Sequence, residues 1–290
     1  MRALPLWVFI GLLGCGGAGT ATKVEAPAGP TAKRAPRSAI VFVSVYEGLL
    51  PVACFDAPKK AWRSGKDCLD LLSLEDEVRL ERDARVVKLT GHRTPTVTGC
   101  TLETKLPMFD DAKGEKPGAI AVWPANSPAR FHRMGWEATQ KGSSDLKPKE
   151  RDALARGMGK VGTVSGVSVV QAASADLDDD GQSELVVSAT TTSFHPGKKA
   201  GGFAALLIHG AGWDDMAVVR SSDHAVFRAE GSLDLDDDGL HELVFSERTA
   251  HPNGQRSDSF ALAHWKGSAL AALPPVESCW PPLKNPPDPD

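Results

Sequence analysis

The chain has 290 residues, of which 41% are hydrophobic and 24% are charged, and its formal net charge is -4. Such a composition can bury the core of one large domain or of two modest domains. The sequence contains no block rich in Lys and Arg and no basic helix, which argues against nucleic acid as a partner.

The N-terminus has the features of an export signal. Arg2 supplies a positive charge, residues 3–13 form an apolar run, and the small residue Gly14 precedes Cys15. The run is too short to span a bilayer as a mature helix. Its end, Leu-Leu-Gly-Cys, resembles the lipobox of bacterial lipoproteins, and this resemblance implies cleavage before Cys15 and lipidation of the Cys15 thiol. An ordinary secretory signal with an incidental cysteine is the alternative.

The residue after Cys15 bears on the destination of the protein. In bacterial lipoproteins an Asp at this position is the usual signal for retention in the inner membrane, and this chain has Gly16. The resemblance therefore implies a lipid-anchored protein of the bacterial cell envelope, in the outer membrane of a host that has one. After a signal peptide at residues 1–14, residues 15–37 lack apolar periodicity and are expected to form a flexible tether, and residues 281–290 are expected to form a Pro-rich tail.

Residues 38–160 are predicted to form a β-rich region with one short helix. Strands are expected at residues 40–45, 77–81, 85–90 and 119–123, because these short runs are rich in β-branched and apolar residues. The helix is expected at residues 147–156, with Pro148 in its first turn and Gly157 beyond its end. The region is either a set of degenerate repeat units or a separate domain.

Four further cysteines are present in the exported chain, at Cys54, Cys68, Cys100 and Cys279. An even number in an exported protein predicts two disulfides, with three possible pairings. If Cys54 pairs with Cys68, the closed loop of about 14 residues would add roughly 3 kcal/mol of stability. A zinc site fits the sequence less well, because no CxxC pair occurs.

Residues 161–280 contain an internal duplication. The segment SADLDDDGQSELVVS (174–188) returns as SLDLDDDGLHELVFS (232–246), with 11 identities in 15 positions at an offset of 58. Apolar and β-branched runs flank both segments, at residues 167–172, 184–188, 203–209 and 213–220 in the first repeat and at residues 225–229, 242–246 and 260–265 in the second. Such runs, separated by Gly, Pro and Asp, predict antiparallel meanders of three or four strands. The predicted fold class is therefore mainly β, with four-stranded antiparallel meander units like the blades of a propeller and one short helix.

The acidic loops of the two repeats have the pattern of a calcium site. Counting from the first Asp, carboxylates fall at positions 1, 3, 5 and 9, a Gly stands at position 6, and position 7 can offer its main-chain carbonyl. Ca²⁺ takes six or more oxygen ligands, and a Gly with a positive φ lets a short loop fold around it. The predicted ligands of two Ca²⁺ ions are Asp176, Asp178, Asp180, Gln182 and Glu184 in the first loop and Asp234, Asp236, Asp238, Leu240 and Glu242 in the second. Solvated acidic turns between strands are the alternative.

An EF-hand does not fit these loops, because Val187 and Phe245 stand at position 12, where an EF-hand has its bidentate Glu. The loops instead resemble the Asp-rich calcium loops of FG-GAP and VCBS repeats, the units of integrin-type β-propellers. The resemblance covers about residues 161–273 and implies propeller-type blades. The chain departs from these families in having Glu at position 9 and in lacking the Phe-Gly and Gly-Ala-Pro signatures. The roughly 240 residues from Ser38 to Trp280 are too few for seven blades, so a small or incomplete propeller is expected.

The predicted role of the ions is structural, because each loop joins two strands and a bound ion would remove the repulsion between carboxylates. We therefore expect a non-catalytic binding or structural module, anchored to the membrane through its N-terminal lipid, with a protein or a polysaccharide as ligand. A calcium-dependent hydrolase of surface polymers, with its site in residues 38–160, is the alternative. Enzyme motifs fail on spacing, because His241 has no second His four residues later and Ser165 misses the GxSxG pattern by one position.

Overall fold

Antiparallel β-strands form nearly all the regular structure of the chain. The structure, a computed structural model, describes residues 36–45, 48–93, 106–109, 118–134, 146–195, 202–210, 214–250, 256–266 and 269–278. The strands, numbered along the chain, are β1 (Ala39–Val45), β2 (Gly48–Asp56), β3 (Ala61–Ser64), β4 (Glu77–Leu80), β5 (Val86–Arg93), β6 (Leu106–Phe109), β7 (Ile120–Trp123), β8 (His132–Arg133), β9 (Val167–Ala175), β10 (Glu184–Thr191), β11 (Ala204–His209), β12 (Ala217–Ser222), β13 (Ala225–Leu233), β14 (Glu242–Ala250), β15 (Arg256–Lys266), β16 (Ala269–Ala272) and β17 (Val276–Ser278). The predicted fold class, mainly β with antiparallel meanders, is confirmed.

The first seven strands form one N-terminal sheet in the order β3-β2-β1-β7-β4-β5-β6. All seven residues of β1 are buried, because the sheet is covered on both faces. Successive side chains of a strand point to opposite faces. Ile40 and Phe42 accordingly pack in one apolar cluster with Cys68, and Val41 and Val43 pack in another that includes residues of β14 and β15. Double-sided burial explains why β1 is a continuous apolar run and not an alternating one.

The four strands predicted in this region are confirmed as β1, β4, β5 and β7, with ends that differ by up to three residues. Strand β2 was not predicted. It contains Pro51 and nevertheless lies inside the sheet, between β1 and β3. A β-bulge explains this, because the pairing of β1 with β2 shifts between Val41, opposite Ala53, and Phe42, opposite Pro51. At a bulge the ladder is locally interrupted, so a residue without an N–H is tolerated.

The two repeats form two four-stranded meanders. The first repeat sheet has the order β12-β11-β10-β9, and the second has the order β16-β15-β14-β13, so each strand pairs with its neighbour along the chain. The second repeat sheet is extended by β8, which pairs with β13, and by β17, which pairs with β15. The meanders of three or four strands predicted from the duplication therefore each have four strands.

The second repeat sheet lies between two apolar layers. On one face, Phe227 and Phe245 pack with Val186 and Leu206 of the first repeat sheet. On the other face, Val244 packs with residues of the N-terminal sheet. The loop that joins β13 to β14 is thus attached to a sheet that is covered on both sides.

Two buried polar side chains join the repeat sheets. The amide of Gln171 on β9 donates to the carbonyl of Ala229 on β13 at 3.0 Å, and it accepts from the N–H of Ala229 at 2.8 Å. The hydroxyl of Ser188 on β10 donates to the carbonyl of Phe227 at 2.6 Å. Because a buried amide needs its partners, these bonds fix the position of one sheet on the other.

The one α-helix within the described ranges, α1 (Pro148–Gly159), covers the outer face of the first repeat sheet, where Leu154 and Met158 pack with Val187 and Leu207. A short 3-10 helix (Gly65–Leu71) lies in the N-terminal region and was not predicted. Among the described residues, neither helix has the length and apolar content needed to cross a bilayer.

The helix α1 begins as predicted and ends later than predicted. Pro148 is at its first position, and the N–H of Lys147 donates to the Glu150 carboxylate at 2.8 Å. Gly157 was predicted to lie beyond the end of the helix, but this was wrong, since it is a buried helical residue. A Cβ at Gly157 would come within 2.8 Å of Leu207 Cδ2 and 2.9 Å of the Met216 carbonyl oxygen. The Gly is needed for close packing of helix on sheet and does not terminate the helix.

We expect Gly157→Ala to lower the free energy of unfolding by about 1–3 kcal/mol, because the new methyl group overlaps a main-chain oxygen. Gly159→Ala is the matched control, since a Cβ there meets nothing within 4 Å. That control should be neutral or stabilise the protein by up to about 1 kcal/mol through helix propensity. Urea unfolding of both variants measures the difference, and equal stability would contradict the proposed packing role of Gly157.

Candidate metal centre

The first acidic loop (residues 176–184) joins β9 to β10, and the second acidic loop (residues 234–242) joins β13 to β14. Both have the same main-chain conformation. Positions 4 and 6 are left-handed in each, with φ of 56° at Asp179 and 82° at Gly181, and 64° at Asp237 and 90° at Gly239. Gly adopts this region freely, and Asp is among the few other residues that tolerate it. The duplication of sequence is therefore also a duplication of loop structure.

The Glu at position 9 holds each loop against its own strand. Glu184 Oε2 accepts from the N–H of Leu177 at 2.7 Å, and Glu242 Oε2 accepts from the N–H of Leu235 at 2.8 Å. Both Leu side chains, at position 2, are buried. One carboxylate oxygen of each Glu is thus engaged by the main chain, which leaves the other oxygen for a ligand.

The Asp at position 1 closes each loop in the same way. Asp176 Oδ2 accepts from the N–H of Gly181 at 3.0 Å, and Asp234 Oδ2 accepts from the N–H of Gly239 at 3.0 Å. The second oxygen of Asp176, Oδ1, is buried and has no hydrogen-bond partner in the described part of the chain.

Three of the five predicted ligands come together in each loop, at positions 1, 3 and 9. One carboxylate oxygen from each lies within 4.8 Å of the others in Asp176, Asp178 and Glu184, and likewise in Asp234, Asp236 and Glu242. The Asp at position 5 instead accepts from the N–H of position 7, at 2.7 Å from Asp180 to Gln182 and at 2.9 Å from Asp238 to Leu240. The Asp at position 5 therefore stands beside each carboxylate cluster and not within it, and the main-chain carbonyl at position 7 stays a predicted ligand.

The second cluster is shielded from water. Asp236 is 7% exposed and Glu242 is 2% exposed. Burial, followed by the charges of Asp238 and Asp234, raises the pKa of Asp236 to about 7. Burial also raises the pKa of Glu242 well above its ordinary value. Like charges gathered in a poorly hydrated site cost free energy that a bound cation would remove.

The first cluster is more open. The side chain of Asp178 is exposed, as are those of Asp180 and Gln182, whereas Glu184 is buried. Partial desolvation raises the pKa of Asp178 and of Glu184, and in each case a neighbouring carboxylate adds to the shift. The two loops thus present the same ligands in different surroundings.

The donor set fits a hard divalent cation. Asp236 Oδ1 is buried and has no hydrogen-bond partner among the described residues, and it lies in the cluster with Asp234 and Glu242. An unpartnered carboxylate oxygen in such a place is stabilised by a metal ion or by a proton. All the candidate ligands are oxygens, which favours Ca²⁺, Mg²⁺ or Mn²⁺ over the softer transition metals.

The two acidic loops touch each other, which the sequence had not indicated. The N–H of His241, at position 8 of the second loop, donates to the carbonyl of Leu177 in the first loop at 2.7 Å. The indole N–H of Trp265 donates to the His241 carbonyl at 3.0 Å, and the His132 ring stacks on the His241 ring at 5.4 Å between centroids. Main-chain and side-chain contacts therefore fix His241 at the point where the two loops meet.

The predicted cysteine sites have separate outcomes. Cys54 of β2 and Cys68 of the 3-10 helix form a disulfide, with Cα atoms 5.7 Å apart. Cys15, Cys100 and Cys279 lie outside the residues that the structure describes.

Comparisons of the chain with protein-family models, with curated proteins and with solved structures found no match.

Without a metal ion, we expect Asp236→Asn to stabilise the protein at pH 7.5. A carboxyl whose pKa rises on folding contributes stability that is present below its unfolded pKa, near 4, and is lost as the pH rises through about 7. Because one pKa unit corresponds to about 1.4 kcal/mol, the melting temperature in chelator should rise by roughly 4 °C or more at pH 7.5. The difference should vanish near pH 4.

Thermal unfolding in chelator at the two pH values measures this effect. Asp67→Asn, which changes an exposed carboxyl of the 3-10 helix, is the control and should move the melting temperature little. A lower melting temperature for Asp236→Asn at pH 7.5 would mean that a donor pairs with this carboxylate.

Proposed function

We propose that this protein is a calcium-stabilised, non-catalytic binding or structural module of a bacterial cell envelope. The observation that supports this most is the buried, unpartnered Asp236 oxygen in a cluster with two further carboxylates. A folded protein keeps such a cluster at a cost in stability unless a cation balances it.

Calcium is the ion that this geometry favours. Each loop offers three clustered carboxylates at positions 1, 3 and 9 and a fourth carboxylate at position 5. It also offers a main-chain carbonyl at position 7 and a Gly with positive φ at position 6, which turns the chain. Mg²⁺ prefers to keep several water ligands, whereas Ca²⁺ accepts six to eight oxygens in flexible arrangements. A loop of nine residues with protein ligands on several sides suits the larger ion.

The proposed role of the ions is to hold neighbouring strands together. Each loop connects the two strands of a hairpin. The first loop joins β9 to β10, and the second loop joins β13 to β14. An ion that binds only the folded loop stabilises the protein by about 2.7 kcal/mol at a hundred times its dissociation constant. Calcium would thus act on the stability of both sheets.

The buried charges of the N-terminal region favour a module over a hydrolase. Arg79 pairs with Glu81 and donates to the main-chain carbonyls of Ala125 and Ser127 at 2.7 Å each. Buried Asp56 pairs with Arg63 at 2.9 Å. These charged groups bind one another and main-chain carbonyls, and they hold the sheet and its loops together, which is a structural role.

A cavity of about 290 Å³ lies elsewhere, between α1 and residues 164–167. Its lining includes Arg151, Leu154 and Ser165, and no His or Asp of the described residues contributes to it. The described residues that line this cavity therefore do not provide the combination of His, Asp and Ser that a hydrolase requires. We therefore propose binding of a protein or a polysaccharide, and not catalysis.

The stacked four-stranded meanders support the proposed kinship with FG-GAP and VCBS repeats. Two such units that pack face to face resemble two blades of a propeller. We propose that the chain holds an incomplete propeller of this type, with the N-terminal sheet covering the second blade.

Calcium titration tests the proposed function. We expect a chain beginning at Gly16 to bind two Ca²⁺ ions by calorimetry and to melt about 5 °C or more higher in calcium than in chelator. The double variant Asp178→Ala, Asp236→Ala should lose both effects, whereas Asp67→Ala with Asp152→Ala, two exposed sites outside the loops, should keep them. Failure to bind at millimolar calcium would leave the loops as acidic turns.

The proposed anchor has its own test. When the whole chain is expressed in a bacterium with radiolabelled palmitate, the label should enter the protein, and the protein should sediment with membranes. Cys15→Ser should lose the label and become soluble after export, while Cys54→Ser should stay labelled. Label in the Cys15→Ser variant would contradict lipidation at this residue.

A further inference from the structure

The bond between the two acidic loops joins groups that belong to ligand residues. Its acceptor, the Leu177 carbonyl, is in the peptide group that links Leu177 to Asp178, and Asp178 is in the first carboxylate cluster. Its donor, the His241 N–H, is in the peptide group that links Leu240 to His241. The other end of that peptide group is the Leu240 carbonyl, the predicted position 7 ligand of the second loop.

The same Leu177 residue is tied to its own cluster from the other side. Its N–H donates to Glu184 Oε2 at 2.7 Å, and its side chain is buried between the repeat sheets. On the other side of the bond, Trp265 donates to the His241 carbonyl. A continuous chain of hydrogen bonds therefore runs from Glu184 through Leu177 to His241.

A cation at the Leu240 carbonyl would polarise its peptide group and make the His241 N–H a stronger donor, because hydrogen bonds in a chain reinforce one another. The stronger bond would fix the Leu177 carbonyl and, through the shared peptide group, the main chain of Asp178. Less ordering would then remain for the first loop to undergo when it binds its own ion.

We propose that the two acidic loops bind calcium with positive cooperativity, transmitted by the hydrogen bond from the His241 N–H to the Leu177 carbonyl. The inference rests on the proposed function and adds to it that each ion regulates the affinity for the other. Linkage requires the effect to be reciprocal, so occupation of either loop raises the affinity of the other by the same factor.

Electrostatics acts in the opposite direction and can be separated from the hydrogen bond. The first ion lowers the negative potential that attracts the second ion, and salt screens this effect with a Debye length of about 8 Å at 0.15 M, less at the buried second cluster than at the exposed first one. The effect of the hydrogen bond does not depend on salt in this way. Cooperativity should therefore persist at 0.15 M KCl and should not weaken at 0.5 M KCl.

The experiment compares variants that remove one charge from the same loop. Asp236→Asn takes a carboxylate out of the second cluster, whereas Asp237→Asn removes an equal charge at position 4, outside the cluster, where φ is 64° and Asn is tolerated. Calcium binding to each loop is followed by NMR at the amides of Gly181 and Gly239, in a chain beginning at Gly16. We expect the first loop to bind calcium at least five-fold more weakly in Asp236→Asn than in Asp237→Asn.

The reciprocal pair, Asp178→Asn against Asp179→Asn, should weaken the second loop by the same factor. In the unchanged chain, both amides should titrate together with a Hill coefficient above 1, a measurement that needs no variant to fold. Equal affinities within each pair, or separate midpoints in the unchanged chain, would overturn the cooperativity and leave two-ion binding intact. Absence of any calcium response in the unchanged chain would instead overturn the proposed function.

Discussion

The packing around the second acidic loop determines how its carboxylates are solvated. Side chains of β14 alternate between the first repeat sheet, which Phe245 contacts, and the N-terminal sheet, which Val244 contacts. The loop that precedes this strand is buried as well, because Leu235 of the loop packs with residues of the N-terminal sheet, and Asp236 and Glu242 are shielded from water there. The first repeat sheet is covered by a second sheet and by α1, yet its loop leaves Asp178 exposed. Two loops with the same carboxylate spacing therefore differ in free energy because of their neighbours.

The hydrogen bonds inside the loops show which carboxylate oxygens are bound by the main chain. At position 1 the outer oxygen accepts from the Gly at position 6, and at position 9 one oxygen accepts from the Leu at position 2. Main-chain N–H groups thus bind one oxygen of each carboxylate at positions 1 and 9. Asp234 Oδ1 also accepts from the N–H of Asp238 at 3.0 Å, whereas Asp176 Oδ1 and Asp236 Oδ1 are buried and have no hydrogen-bond partner among the described residues. This division explains why Glu at position 9 is suited to these loops, because its longer side chain reaches the Leu N–H as well as the cluster.

The repeat was readable from the sequence because its signal is local. Identical loops at a fixed offset predicted the meanders, and carboxylates at alternate positions predicted the convergence of positions 1, 3 and 9. Features that depend on residues distant in the sequence could not be predicted. Pro51 argues against a strand until the bulge opposite Val41 is known, and Gly157 looks like a helix terminator until Leu207 is known to lie against it. The contact of His241 with Leu177 depends on how the two sheets stack, which no spacing along the chain encodes.

The two hydrogen bonds between Gln171 and Ala229 make the two repeats different from each other. These two residues occupy the same position in the two repeats, 58 residues apart, and the amide of the first grips the main chain of the second. Ala229 has no amide with which to grip a further unit. The two repeats are therefore not equivalent in this contact, because the first provides the side-chain amide and the second provides the main-chain groups that it binds. A further copy stacked on the second repeat could not be held by the same pair of bonds.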